Sequence, residues 1–482
     1  MNASPSSSIR YNEPWGQSFK QVASSPFFIF IAATAAASLI FFLRAPGAFL
    51  MPCLFAEDGQ WTSSILMKGF WDTAFHVRPD YPVFGNVTLL WIGIQYCDVF
   101  LNGNFLYLPH CYAVISYLFF GATISLPILL LNKQLSVIQL GSFWLLACFM
   151  PLGLSDTWSG FEVLGRILNT GFAFIFIAFI LIWYRNVNAV SPLSFVGTDF
   201  CLFICTATNP ICIAMLPGIL WPYIRRLPKK EQRLTHLFRD PGFISMILLF
   251  SLYLIAVGMP SPNRPYEENL LPLTAGLAVR IGLARSVLYA MVWPVYTKLT
   301  TLSVAVIFLM LVAAVCLCGK KKNRSFYLSA GYVMVLVSVV LVLFRPDLRR
   351  FFHDYSNSFP DRYFYGHQLV ALLFMVIFAS DIKAKLAGIK ILSKIPALII
   401  LLFLIGSVIR DPFWKFSQQR TDLHSKGLLS DRVRKAIERK RYVNASLLPD
   451  PKGEYLMLSG EIPFVIMYLP REPLERVFNK NK

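Results

Sequence analysis

Apolar residues run in long stretches along this chain, each bounded by short polar punctuation. The stretches 26–43, 106–131, 135–154, 167–184, 242–259, 302–319, 326–344, 366–380 and 395–410 each approach the roughly 20 residues that a helix needs to cross a bilayer. A further run is broken by Asn209-Pro210 and ends at Pro222, which predicts two short spans, 194–208 and 211–224, hinged at that turn. The pattern predicts an all-α polytopic membrane protein with about eleven transmembrane helices, ten being the nearest alternative.

The polar segments define the rest of the organisation. An N-terminal tail (1–25) precedes a membrane body (26–410), and a C-terminal segment (411–482) follows it. With the N-terminus inside, the short inner loops carry 18 Lys and Arg, whereas the outer loops 44–105, 155–166, 260–301 and 345–365 carry 12 in far more sequence. Acidic residues run the other way, twelve outside against four inside. This is the positive-inside pattern. An odd span count then places 411–482 outside. Twenty-five residues precede the first span and no small-x-small site follows it, so it is expected to be an uncleaved anchor. In the C-terminal segment Ser430 opens an expected helix through Arg441, and the turn Asp450–Gly453 precedes an expected strand, Glu454–Ser459, giving a small α/β unit.

Composition sharpens the class. Of 482 residues 56% are hydrophobic and only 15% charged, against about 25% charged in soluble domains. A soluble fold, a disordered chain and a disulfide-stapled module are excluded. The net charge of +19 fits basic inner loops and anionic lipid, and no nucleic-acid-binding motif accompanies it. Nine Cys occur without a CxxC, most inside apolar runs as small hydrophobes, while Cys53 and Cys97 share the first outer loop. No internal repeat is visible, which speaks against a transporter built from repeated halves.

Candidate chemistry gathers at the outer loops. Glu57 and Asp58, within Phe55-Ala56-Glu57-Asp58-Gly59, lie shortly after the first span. Trp61, Ile65, Leu66 and Phe70 then recur at helical spacing, as in an amphipathic helix lying at headgroup depth with Asp58 at its N-terminus. Such a pair serves either as helix cap and solvated neighbour or as a general base at a membrane cavity. Glu162, followed by Asn169 inside an apolar span, marks a second polar site, either a cavity lining or an interhelical contact. Arg345, Arg349, Arg350 and Arg362 form a third, interleaved with Asp347, Asp354 and Asp361. Guanidinium forks bind phosphate oxygens bidentately, and here they have the alternative of pairing with those carboxylates. No nucleotide-binding or zinc-ligand pattern is present. Outer carboxylates with outer arginines fit attack by an acceptor hydroxyl on a lipid-phosphate sugar. A carboxylate takes the proton, and arginine stabilises the leaving phosphate.

At these residues the sequence resembles the bacterial multi-spanning glycosyltransferases of GT-C architecture, including the serotype-converting glucosyltransferases that modify O-antigen of lipopolysaccharide. The resemblance rests on the Ala56–Gly59 motif, on Glu162 with Asn169, on Asn209-Pro210 with Leu216-Pro217, and on Asp361–Tyr365 before a late span. It implies two interfacial helices in the first outer loop, an undecaprenyl-phosphate-linked sugar donor whose sugar is glucose, and a lipid-linked glycan acceptor at the periplasmic face of the bacterial inner membrane. Carried onto this chain, Glu57 or Asp58 becomes the base and Arg362 a donor-phosphate ligand, to which charge placement adds Arg349 and Arg350. Trp61, Glu162 and Asn169 are the acceptor or supporting residues. No cofactor is implied, and a divalent metal is left open. Two rivals remain: an O-antigen polymerase, expected to concentrate basic residues in two large central loops, and a lipid-linked-glycan flippase, expected to hold charges at mid-membrane, whereas the one acidic candidate within a span, Asp199, lies near a predicted inner end.

Overall fold

The computed structural model describes residues 25–50, 52–54, 57–78, 81–150, 163–187, 192–215, 274–344, 361–388, 394–410, 428–444, 454–458 and 467–480, with a few residues between them. The principal helices of the first half are α1 (Pro26–Arg44), α2 (Glu57–Lys68), α3 (Phe70–His76), α4 (Phe84–Phe100), α5 (Leu108–Leu130), α6 (Val137–Cys148), α7 (Phe174–Val187) and α8 (Pro192–Thr206). They are followed by α9 (Ala275–Val292), α10 (Thr301–Cys318), α11 (Arg324–Phe344), α12 (Tyr365–Lys385), α13 (Ile395–Arg410), α14 (Leu429–Glu438) and α15 (Arg471–Lys480).

Among the described residues, six helices are long and apolar enough to cross a membrane: Pro26–Arg44, Phe105–Leu130, Leu168–Val187, Ala275–Val292, Thr301–Cys318 and Arg362–Lys385. Helix α10 makes the environment plain. Leu302, Leu309, Met310 and Leu317 all point outward, and an apolar helix exposed on most of its surface requires an apolar solvent. The Arg362–Lys385 stretch is the most enclosed of the six. At its far end Asp381 is buried and accepts hydrogen bonds from the Lys320 amide (2.9 Å), Asn323 Nδ2 and the Tyr327 hydroxyl (2.7 Å), which ties α12 to the start of α11.

Close backbone approach joins α1 to α5. A Cβ at Gly121 would lie 2.7 Å from the Thr34 carbonyl oxygen, so a small residue is needed at this crossing. Ser38 Oγ donates to the Tyr117 carbonyl across the same seam. Arg44, buried at the end of α1, donates to the carbonyls of Cys148 and Met150, satisfying acceptors that α6 leaves open at its C-terminus.

Three stretches differ from the sequence expectation. The outer loop expected at 260–301 contains α9, whose apolar run is interrupted in sequence by Arg280 and Arg285. Burial of a charged side chain requires compensation, and Arg285 stacks on the Tyr289 ring at 3.9 Å and near the Tyr296 ring at 5.3 Å. The stretch expected as the first outer loop, for which two interfacial helices are implied, holds three helices, α2, α3 and the 17-residue α4, with Gly69 joining α2 to α3 at φ 88°, a conformation suited to glycine. The expected span 211–224 begins as a tight turn, Pro210–Met215. Most of that span's second half, most of 242–259 and the end of 135–154 lie outside the described residues.

The C-terminal segment holds a three-stranded antiparallel sheet, β1 (Tyr442–Asn444), β2 (Glu454–Leu458) and β3 (Met467–Pro470), in that order. Leu456 and Leu458 pair with Leu469 and Met467, so alternate residues build one buried face. Leu429, Val433 and Ala436, spaced for one face of α14, share a core with it. Leu54, Trp61 and Ile65 of the first loop belong to the same core. The first loop and the C-terminal segment therefore lie on one side of the bundle.

Candidate functional site

Helix α2 carries Glu57 and Asp58 in its first turn. Their side chains part there: Glu57 is half-buried, whereas Asp58 is 2% exposed. Asp58 does not cap its own helix. Its carboxylate accepts hydrogen bonds from the amides of Leu168 (2.7 Å) and Ile167 (3.2 Å), the free donors that open the 3-10 turn Leu168–Phe172. Burial pushes the Asp58 carboxyl up to about 7, against the pull of Arg166 and of those two amides, with Glu57 adding to the rise.

The Leu168–Phe172 turn is held from three further directions. Asn86 Nδ2, from α4, donates to the carbonyls of Ile167 (2.8 Å) and Leu168 (2.9 Å) and to Thr170 Oγ1 (3.1 Å). Asn209 Nδ2 donates to the Gly171 carbonyl at 3.1 Å, while its Oδ1 accepts from the Ile211 amide. Arg166 donates to the Cys53 carbonyl at 3.1 Å, and its own carbonyl accepts from Ser116 Oγ. Irregular backbone inside a bundle persists only where its polar groups find such partners.

On the far side of the turn, residues 361–364 form another 3-10 turn leading into α12. The Tyr363 ring meets the Phe172 ring edge-on, with centroids 4.7 Å apart, and a Cβ at Gly366 would lie 2.5 Å from the Phe172 carbonyl. Arg362 lies against Tyr363, its guanidinium 5.1 Å from the ring centre. The fold thus brings the Glu57-Asp58 turn, the segment around Asn169 and the turn bearing Arg362 to one end of the bundle.

Trp61 departs from its expected place at headgroup depth. It is 3% exposed, packed with Ile65 among residues of α4 and the C-terminal sheet, because the apolar face of α2 is covered by protein. It supports the helix from beneath. Asn169 is buried in the clamped turn. The Arg349 carbonyl accepts from the Phe352 amide. Glu162 and Arg350 lie outside the described residues.

Sequence reasoning did not single out Asn86, Arg166 or Thr62. A lone Asn within the apolar run of α4 was the available signal, since polar groups at such depth need a partner. Thr62 Oγ1 lies 2.8 Å from the Tyr112 hydroxyl and fastens α2 to α5. Asp199, the acidic candidate within a span, pairs with Arg185 at 3.4 Å. Among the described residues, no three His, Cys, Asp or Glu side chains come together as a metal-holding group. No known protein family, curated protein or solved structure matches this chain.

Proposed function

We propose that the chain is a polyprenyl-phosphate-sugar-dependent glycosyltransferase of the bacterial inner membrane, with about eleven spans and GT-C-like architecture. It moves a sugar, glucose by resemblance, from undecaprenyl phosphate to a lipid-linked glycan at the periplasmic face. The observation that carries this reading is the division of labour between adjacent carboxylates. Asp58 is buried and spends both oxygens on backbone amides, which anchors the turn, while Glu57 remains half-buried beside it at the same end of the bundle as Arg362.

Glu57 is then the base. It takes the proton from an acceptor hydroxyl as that oxygen bonds to the anomeric carbon, and the carbon–oxygen bond to phosphate breaks on the opposite side. The anomeric centre inverts, and Arg362 stabilises the departing polyprenyl phosphate. Packing of the C-terminal segment against the first loop supports an even number of crossings between them, as eleven spans require. Against the flippase reading, the one acidic candidate within a span, Asp199, belongs to a predicted inner end, where it pairs with Arg185.

The test uses membranes holding the full chain, radiolabelled undecaprenyl-phosphate glucose and a crude lipid-linked glycan. Wild type is expected to transfer label, Glu57→Gln to lose it at matched expression, and Arg362→Ala to need more donor. No consumption of lipid-linked sugar across a donor panel, or normal transfer by Glu57→Gln, overturns this mechanism.

A further inference from the structure

Helices α4 and α5 run back on each other through the short turn at 101–107, where Asn102 (φ 51°) and Gly103 (φ 73°) reverse the chain. Their approach is close: a Cβ at Gly93 would lie 2.5 Å from the Tyr112 ring. In this seam Cys97 Sγ and Cys111 Sγ stand 3.7 Å apart. Cys97 is fully buried, and Cys111 is half-buried near the outer-loop end of α5.

From this juxtaposition we infer that Cys97 and Cys111 are a disulfide-forming pair that staples α4 to α5. A disulfide needs about 2.05 Å between sulfurs, and side-chain rotation of two cysteines already in contact supplies the difference without separating the helices. The two thiols lose two protons and two electrons to a dithiol–disulfide oxidant, which leaves as the reduced dithiol. The bond closes in the cell because the first loop faces an oxidising compartment, a premise that rests on the orientation given under Proposed function.

The staple bears on the site through the neighbouring residue. Tyr112 follows Cys111 in α5, and its hydroxyl meets Thr62 on the helix that carries Glu57 and Asp58. Closing the bond holds Tyr112 over α4 and thereby fixes the seat of α2. Neither cysteine touches the Asp58 carboxylate or its amide donors, so the pair can be altered without removing those groups.

The experiment maps the bond on the full-length purified protein. The protein is incubated with oxidised glutathione, denatured, alkylated and digested with chymotrypsin without reduction, which cuts between the two positions. The expected result is a peptide pair joined through Cys97 and Cys111 that disappears on reduction and in Cys111→Ser. Alkylation of both cysteines in the oxidised sample, or a glutathione adduct on Cys111 with Cys97 free, overturns the inference. In a second arm, cells are alkylated in denaturant at lysis. The bond found there as well supports both the pair and the outward loop, whereas a bond formed only with glutathione upholds the pair and overturns the outward orientation.

Discussion

Asp58 Oδ1 lies 2.7 Å from the amide nitrogen of Leu168, a contact that spans 110 positions of the chain. It places the carboxylate of a loop helix on the open N-terminus of a turn inside the bundle. Its oxygens meet donors that have no partner within their own turn, as at helix N-termini generally. The same contact keeps the Asp58 carboxyl from being freely presented, which is why the proposed mechanism gives the base's place to Glu57.

Asp58→Asn removes the charge and turns one oxygen into a donor facing an amide N–H. Above about pH 7, where Asp58 is ionised, a loss of about 1–3 kcal/mol is expected, the cost of a charged hydrogen bond whose partner stays buried. Scanning fluorimetry in detergent checks it. The pH dependence carries the sign. The folded-state value of about 7 lies above the ordinary 3.8, so the folded state keeps its proton where the unfolded chain has released it. The resulting stabilisation is complete below about pH 4 and is lost as pH rises through about 7. Wild type therefore loses stability across that window, and Asp58→Asn is flat in this component. An equal slope in both proteins contradicts the assignment.

Asn86 separates hydrogen bonding from shape. Asn86→Asp keeps the side chain's volume but aims oxygens at the carbonyls of Ile167 and Leu168, which Asn86 now satisfies. Asn86→Ala removes the donor and opens space. Each removes the bonds donated to these carbonyls, of which that of Ile167 keeps the Thr170 amide and hydroxyl as partners, so a loss of about 1 kcal/mol is expected, and Asp adds repulsion between acceptors. Melting temperatures in the order wild type, Ala, Asp are expected, with transfer activity falling alongside.

The membrane body was legible in the sequence because its periodicity is unbroken. The apolar runs behind α1, α5, α10 and α11 carry almost no interior charge, and their helices stand close to where hydropathy puts them. Helix α9 was not legible, because Arg280 and Arg285 end the apolar run in one dimension, while tyrosines a turn or more away accommodate Arg285 in three. The site was half legible. Adjacent acids in the first loop announce polar chemistry, but nothing local tells that Asp58 turns inward toward residue 168. That contact exists only after α1, α4 and α5 have brought the two segments together. Trp61 misled for a related reason: an amphipathic face reads the same whether lipid or protein covers it.

Gly366 tests the link between the Asp58 turn and Arg362. A methyl group there would meet the Phe172 carbonyl at 2.5 Å and Ile175 Cβ at 2.8 Å, and neither is the free end of a flexible side chain. Gly366→Ala must push α12 away from the turn, at about 1–3 kcal/mol of overpacking strain. Transfer is expected to fall more than tenfold with the protein still folded, whereas Gly141→Ala, where a Cβ meets nothing within 4 Å, is expected to retain wild-type rate. Kinetics on both variants at matched expression decide it.

The shared core of the first loop and the C-terminal segment makes a prediction about sidedness. The Tyr468 amide donates to Ser63 Oγ at 2.7 Å, and Met467 packs so closely on Gly59 that a Cβ there would lie 2.6 Å from its terminal methyl. A bilayer cannot stand between groups in such contact. Gln60 and Glu472 are both exposed, so Gln60→Cys and Glu472→Cys offer thiols that leave this packing untouched. A membrane-impermeant maleimide added to intact cells should label both above the wild-type background, or neither, and in inverted vesicles the pattern should reverse together. Labelling of one from outside and the other from inside would require the sheet to sit across the membrane from α2, which contradicts the Ser63–Tyr468 hydrogen bond directly.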